Sequence, residues 1–374
     1  MLFRSPFNLG NVIVRSAINV DPTSSALTVT SGPLPRIKDG VPFRLQTVNV
    51  TIDRPGFMLN PTNCEQQSIT ATIAAAQGAT AGVSSPFAVG GCKNLPFKPS
   101  FTVSTQAKTS KANGASLDVK VSYPASGQAN IRSVKVDLPL QLPSRLTTLQ
   151  KACPAAVFEA NPATCPPESI VGIAKAKTPV LPVTLTGPAY LVSHAAAAFP
   201  DLVVILQGEG VRIDLTGQTL IRKGVTSSTF RSIPDVPVSS FELYLPEDKY
   251  SVLAANGNLC TQKLQMPTAI TGQNGAEIHD TTRIEVKGCS KTLSIQSHSI
   301  NKRTVTLSVY VPSAGKLTVS GKGLSKTSKS STGPETLKLA VKTAKGGSLT
   351  AKVKLIFSPT KGTKQAKSLS VRFG

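Results

Sequence analysis

The chain has 374 residues, with 41 Lys or Arg against 19 Asp or Glu and a formal net charge of +22. That length predicts two or three domains, and 40% apolar with only 16% charged residues argues against wholesale disorder. No run approaches the roughly 18 apolar residues of a spanning helix, so no transmembrane segment is expected, and Met1-Leu2-Phe3-Arg4-Ser5-Pro6 lacks the regions of a signal peptide.

Gly and Pro number 28 each, and they punctuate segments rich in Val, Thr, Ser and Leu, the pattern of many short strands. Val41-Pro42 opens an alternating strand in which Phe43 and Leu45 hold one parity and Val48, Val50 and Ile52 the other. A slip of that kind is what a β-bulge produces. Gly78 then stands 14 residues from both Cys64 and Cys92 and predicts a hairpin turn. Asn113-Gly114 predicts a type I′ turn ahead of a strand carrying Leu117, Val119, Val121 and Tyr123. Val134, Val136, Leu138, Leu140 and Leu142 alternate, and Pro139 on the opposite face marks an edge strand. Ser144 is placed to cap a short helix through Leu146 and Leu149 that stops at Pro154. Strands are expected at 189–192, 202–206 and 211–215. After Val236-Pro237 a second slipping strand runs through Phe241, Leu243 and Leu245, and Gly275 stands 15 residues from Cys260 and 14 from Cys289. In the last 85 residues, alternation through Val305 to Val311, Leu337 to Val341, Val353-Lys354-Leu355 and Leu369 to Phe373 suits a small immunoglobulin-like or fibronectin-like sandwich.

Six cysteines allow fifteen disulfide connectivities. Folding the chain at Gly78 and at Gly275 sets Cys64 opposite Cys92 and Cys260 opposite Cys289 at the open ends of hairpins, where a disulfide's short Cα separation is met. Cys153 and Cys165 then close a short loop. A zinc site is the competing reading, but there is no Cys-x-x-Cys, and His194, His279 and His298 are scattered. Three disulfides place the chain outside the cytosol, extracellular or on the cell surface.

Chemistry-bearing motifs are scarce. No nucleophile elbow, metalloprotease helix, phosphate loop or dinucleotide fingerprint occurs. His279-Asp280 are strand neighbours that face opposite sides, and Asp53, Glu65, Asp235, Glu247 and Asp248 stand in turns where carboxylates bond nearby backbone. No calcium loop is present. The chain is therefore expected to be no enzyme, with no catalytic residue, metal or cofactor. Charge is the stronger signal: from Ser290 onward sixteen Lys or Arg face one acid, Glu335, so this stretch holds +15 of the +22. Lys316, Lys338, Lys352, Lys354, Lys364 and Lys367 are the candidate binders of a polyanion such as an anionic cell-envelope polymer, although edge lysines also keep sheets from pairing. Other surface proteins are the second class of partner. Specific nucleic-acid binding is not expected, because this stretch offers only Tyr310, Phe357 and Phe373 as stacking surfaces.

Landmarks of the two hairpins recur in order: Val41-Pro42, a slipping strand and Cys64 match Val236-Pro237, a slipping strand and Cys260, at 22 and 23 residues from Pro to Cys. The spacing reads as a duplication. Pro6-Phe7-Asn8-Leu9-Gly10, Asn19-Val20-Asp21-Pro22, Ile52-Asp53-Arg54-Pro55-Gly56-Phe57, Asn60-Pro61-Thr62-Asn63-Cys64, Leu140-Gln141-Leu142-Pro143-Ser144-Arg145-Leu146 and Gly257-Asn258-Leu259-Cys260 resemble uncharacterised secreted repeat-containing β proteins of high-GC actinobacteria over residues 1–290. The last domain resembles the lysine-rich sandwich modules that end many such proteins. The resemblance implies secretion and carries no catalytic residue. Its members usually begin with a signal peptide, from which this chain departs.

The expected fold is all-β, with tandem antiparallel β-sandwich domains and disulfide-closed hairpins. Residues 1–97 would be a partial β domain, 98–290 a β-sandwich with a short helix and the Cys153–Cys165 loop, and 291–374 the lysine-rich sandwich. Because the first 92 residues match only the second half of the 98–289 unit, the chain is expected to be the C-terminal part of a longer secreted protein. Val12, Val14, Ile18 and Val20 would then lack partner strands.

Overall fold

A computed structural model describes residues 2–4, 8–51, 59–123, 127–195, 197–343 and 349–373. The fold is all-β. Among the described residues the N-terminal region holds four separate two-stranded ladders: β1 (Leu2–Arg4) with β2 (Asn8–Asn11), β3 (Ser16–Val20) with β4 (Leu27–Ser31), β5 (Ile37–Lys38) with β6 (Val41–Pro42), and β7 (Gln67–Ala74) with β8 (Thr80–Phe87). Its one buried apolar residue among those described is Cys92. The strand expected from Phe43 to Ile52, and its bulge, do not form. Residues 43–51 join no ladder, while Ile52 and the turn at Asp53 lie outside the described residues. Alternation gives a segment two faces, but a ladder also needs a neighbour for its backbone groups. Ile18 is exposed, Val12 and Val14 are half-buried, and Val20 packs against the core of the next unit.

That unit is one closed sheet. Its strands are β9 (Ser100–Gln106), β10 (Leu117–Ser122), β11 (Ile131–Asp137), β12 (Cys153–Pro154), β13 (Ile170–Lys177), β14 (Leu185–Ser193), β15 (Asp201–Gly208), β16 (Val211–Arg222), β17 (Val225–Phe230), β18 (Ser240–Leu245), β19 (Gln265–Gly272) and β20 (Glu277–Lys287). They run in the order β14-β13-β18-β10-β9-β20-β19-β11-β17-β16-β15, and β15 returns to β14. Eleven strands thus close into a barrel, with β12 appended parallel to β14. Strands of an odd-numbered barrel cannot alternate in direction all the way round. One pair has to be parallel, and it is β9 with β20.

Leu117, Leu191, Val204, Leu206, Leu243 and Met266 are among the residues that fill the interior. At the closure the outer face is buried as well: Tyr190, Val192, Val203 and Ile205 lie under Phe158 of a helix, Ala155–Ala160, whose ring meets Tyr190 edge-on at 5.4 Å. The Cys153–Cys165 disulfide closes the loop that carries this helix. Changing both cysteines to serine is expected to cost about 3 kcal/mol, the loop-entropy value for a ~15-residue loop. Urea unfolding would measure it, and a hydrophobic dye should bind as Tyr190 and Val192 lose their cover.

Several local expectations are corrected. Positive φ occurs at Gly114 and not at Asn113, and Ser110 and Gly114 exchange backbone bonds of 3.2 and 2.8 Å. A three-residue loop therefore replaces the type I′ turn. Strand β11 ends at Asp137 and lies between β19 and β17, so it is no edge, and Pro139 stands in the following turn, its carbonyl accepting from Leu142 N at 2.8 Å. Arg145, not Ser144, precedes the helix Leu146–Leu149 without a side-chain cap, because the Ser144 hydroxyl is bonded to that of Thr226 at 2.9 Å. The slip before Phe241 marks where β18 begins and is no bulge.

The last seven strands are β21 (Ser294–Asn301), β22 (Thr304–Val311), β23 (Gly315–Ser320), β24 (Thr327–Ser331), β25 (Glu335–Lys342), β26 (Leu349–Pro359) and β27 (Gln365–Phe373). Sheets β21-β22-β25 and β24-β23-β26-β27 enclose Leu293, Val305, Leu307, Leu317, Val353 and Phe357, among others. This is a two-sheet sandwich with a core of its own.

Candidate polyanion-binding face

In the four-stranded sheet Leu317, Val319, Val353, Leu355, Phe357 and Val371 point inward and are buried. The alternate positions necessarily face solvent. Strand register then sets Lys316 between Ser330 and Ser358, Lys354 between Ser320 and Ser368, and Lys352 beside Ser370, with Thr350 beside Arg372 on the same face. None of the four strands contains Asp or Glu. The single acid of the domain, Glu335, belongs to β25 in the other sheet. Cations interleaved with hydroxyls, without a neutralising carboxylate in the sheet, can hold the phosphate, carboxylate or sulfate groups of an extended polymer.

The six candidate lysines do not lie together. Lys316, Lys352 and Lys354 share this face. Lys338 lies on the opposite sheet beside Ser308, Lys364 is in the β26–β27 connection, and Lys367 sits across from Leu355 near the start of β27. Arg372 joins the face and was not among the candidates. Its parity against Val371 and Phe373 was the available signal.

The barrel wall carries a depression of about 280 Å³ lined by Ser100, Thr102, Lys120, Lys175, Lys177 and Glu242, among others. Lys120 lies 3.0 Å from Glu242 and 3.6 Å from Asp118. The hydrogen bond that Lys120 donates to Glu242 raises the Lys120 pKa above its ordinary value, with desolvation opposing it and the Asp118 charge adding to it. Both carboxylates are thus spent on one ammonium. Elsewhere His279 faces Glu277 at 3.1 Å and His194 faces Asp201 at 3.5 Å, while Asp280 accepts from Thr281 N. Among the described residues no group of three or more His, Cys, Asp or Glu is placed to hold a metal ion.

The disulfides join Cys64 to Cys92, Cys153 to Cys165 and Cys260 to Cys289. Asp248 accepts from Tyr250 N at 2.6 Å, a local turn bond, and Glu65 pairs with Arg132 at 3.1 Å. Asp235 is no mere turn residue. Its carboxylate accepts from Thr62 N and Oγ1 at 2.7 Å each, from Asn63 N at 2.9 Å and Nδ2 at 2.7 Å, and from Asn130 Nδ2 at 2.8 Å. It ties the segment just before Cys64 to the barrel. Burial holds the nearby Tyr123 phenol well above its usual range, and the Asp235 charge adds to that.

Among the described residues no helix is long and apolar enough to cross a membrane. No protein-family model matches this sequence, and no curated protein matches it. Solved structures similar to it include red sea bream transglutaminase, at 12% identity and a TM-score of 0.20, covering 74% of this chain and 32% of that one. Another is the BSP domain of a biofilm-associated protein, at 10% identity and a TM-score of 0.19, covering 76% and 53%. The chain thus spans from a third to about half of the length of these two structures.

Proposed function

We propose that this protein is a non-catalytic extracellular or cell-surface structural protein, held on an anionic envelope polymer by its C-terminal sandwich. The observation that carries the reading is the acid-free sheet face with Lys316, Lys352 and Lys354 among serines and threonines. Three disulfides support an oxidising location. Attraction of this kind acts through exposed charges, which salt screens within about 10 Å at 0.1 M.

The test is retention of the full chain on heparin and on purified cell wall along a salt gradient. Changing Lys316, Lys352 and Lys354 together to glutamine is expected to move elution to clearly lower salt. The same change at Lys302, Lys338 and Lys342, away from the face, should move it less. Equal shifts would show that charge count, not this face, sets retention, and no retention of the parent at low salt would remove the reading.

A further inference from the structure

Strands β9, β10, β18 and β13 lie side by side in the barrel wall, and their register sets the outward positions in two rows. One row reads Thr102, Lys120, Glu242 and Lys175, and the next reads Ser100, Ser122, Ser240 and Lys177. Three serines in succession keep the wall low between the long lysine chains. They form the floor of the depression of about 280 Å³. Phe101, Phe241 and Ala176 alternate with these positions and pack in the barrel core, so the rows stand on rigid strands, the support a precise site needs.

The charges in this hollow are not balanced. Lys120 is held by Glu242 at 3.0 Å and by Asp118 at 3.6 Å. Lys175 and Lys177 are exposed, and among the described residues neither ammonium lies within ion-pair distance of a carboxylate. A carboxylate accepts about four hydrogen bonds, so Glu242 keeps accepting capacity beyond its bond from Lys120. The hollow therefore offers two unpaired cations, a row of hydroxyls and an acceptor. A bare anion would use the cations, be repelled by Glu242 and leave the hydroxyls unmet. A sugar that carries an anionic group uses all three: its charge meets Lys175 and Lys177, and its hydroxyls donate to Glu242 and exchange bonds with Ser122 and Ser240. One outward position beyond Glu242, about 7 Å along β18, Tyr244 is 37% exposed beside Ile173 at 46%. Its ring gives the C–H face of an adjoining sugar an apolar surface with a polar tip.

We propose that this hollow binds a saccharide unit bearing a carboxylate or a phosphate, seated between Lys175, Lys177 and Glu242 with the next ring against Tyr244. The inference does not rest on retention by the C-terminal sandwich. It concerns another domain, and it requires one charged sugar rather than a density of charge.

The probes are three disaccharides of one backbone, carrying a uronate carboxylate, a phosphate monoester or neither, titrated into the full chain by calorimetry. One-to-one binding of at least one charged form is expected, and the tighter of the two names the anionic group. The neutral form should bind about tenfold more weakly or worse, since it lacks the charge-assisted bonds. Changing Lys175 and Lys177 together to glutamine should weaken the charged form by a similar factor. The glutamine changes at Lys316, Lys352 and Lys354 should leave it as it is. Acetylation read by mass spectrometry needs no variant: the charged sugar should slow modification of Lys175 and Lys177, and not of Lys223 in the β16–β17 turn. The proposal is overturned if neither charged form binds, or if charged and neutral forms bind alike. Binding that falls with the sandwich changes and survives those at Lys175 and Lys177 would move the ligand to the sandwich face. Inorganic sulfate binding as tightly as the charged disaccharide would overturn it too, because the hollow would then hold an anion and not a sugar.

Discussion

Asp235→Ala is expected to release residues 59–97 from the barrel while the barrel stays folded. The carboxylate gathers five donors, two of them backbone N–H groups at Thr62 and Asn63. A hydrogen bond to a charged group contributes roughly 1.5–3 kcal/mol, and a donor left without an acceptor costs about 1–3. The five are not additive. Even two of them exceed the ~1 kcal/mol of a typical point mutation, so the local cost should be about 3 kcal/mol or more. The other ties are fewer and mostly neutral: Arg132 to Glu65 is an exposed pair, worth under about 1 kcal/mol, Asn274 Nδ2 donates to Leu95 O at 3.0 Å, and Ala129 N and Asn130 N donate to Pro96 O and Thr62 Oγ1 at 2.9 Å each. Limited proteolysis should cut the variant near Pro96–Lys98 well before the parent. The Thr62 and Asn63 amides should lose protection from exchange, while those of β16 and β17 keep theirs. Unchanged cleavage and exchange would mean that the hub is dispensable. Asp235→Asn should fall between, since an amide presents one acceptor oxygen and turns two N–H donors toward donors.

What the sequence disclosed divides by range. Hairpins are local, and a glycine midway between two cysteines was enough to pair Cys64 with Cys92 and Cys260 with Cys289, which left Cys153 for Cys165. Barrel closure was not. Residues 189–192 and 203–206 are buried on both faces, a continuous apolar run that reads alike in any doubly covered strand, and nothing local says that β15 returns to β14. The role of Asp235 was hidden for the same reason, because its partners Thr62 and Asn63 lie 173 and 172 residues away. The lysines show the limit within one domain. Lys338 alternates with Leu337 and Leu339 just as Lys354 alternates with Val353 and Leu355, so parity turns both outward, but only the strand order puts them on opposite sheets. Residues 43–51 carry a strand's alternation and form none. Propensity fits a segment for a sheet, and the sheet has to be there.

Phe357→Ala is expected to melt the C-terminal sandwich without removing a single charge. Phe357 is fully buried, and its neighbours across the sheet are Leu317 on β23 and Gln365 on β27. Truncating a core phenylalanine costs about 3–5 kcal/mol, against the ~5–15 kcal/mol that holds a domain. All six cysteines precede Ser290, so no disulfide within the sandwich offsets the loss. For a domain of this size the melting transition should fall by on the order of 20 °C, read by calorimetry as one transition moving while that of the barrel stays. The consequence for binding follows from the register. Lys316, Lys352 and Lys354 form a face only because Leu317, Val353 and Leu355 are held inward between them; unfolded, the same lysines spread along a coil. Above its lowered melting temperature the variant should leave heparin at lower salt than the parent at that temperature. Elution at the same salt would show that sixteen scattered cations bind as well as three arranged ones, and the sheet face would lose its claim to be the site.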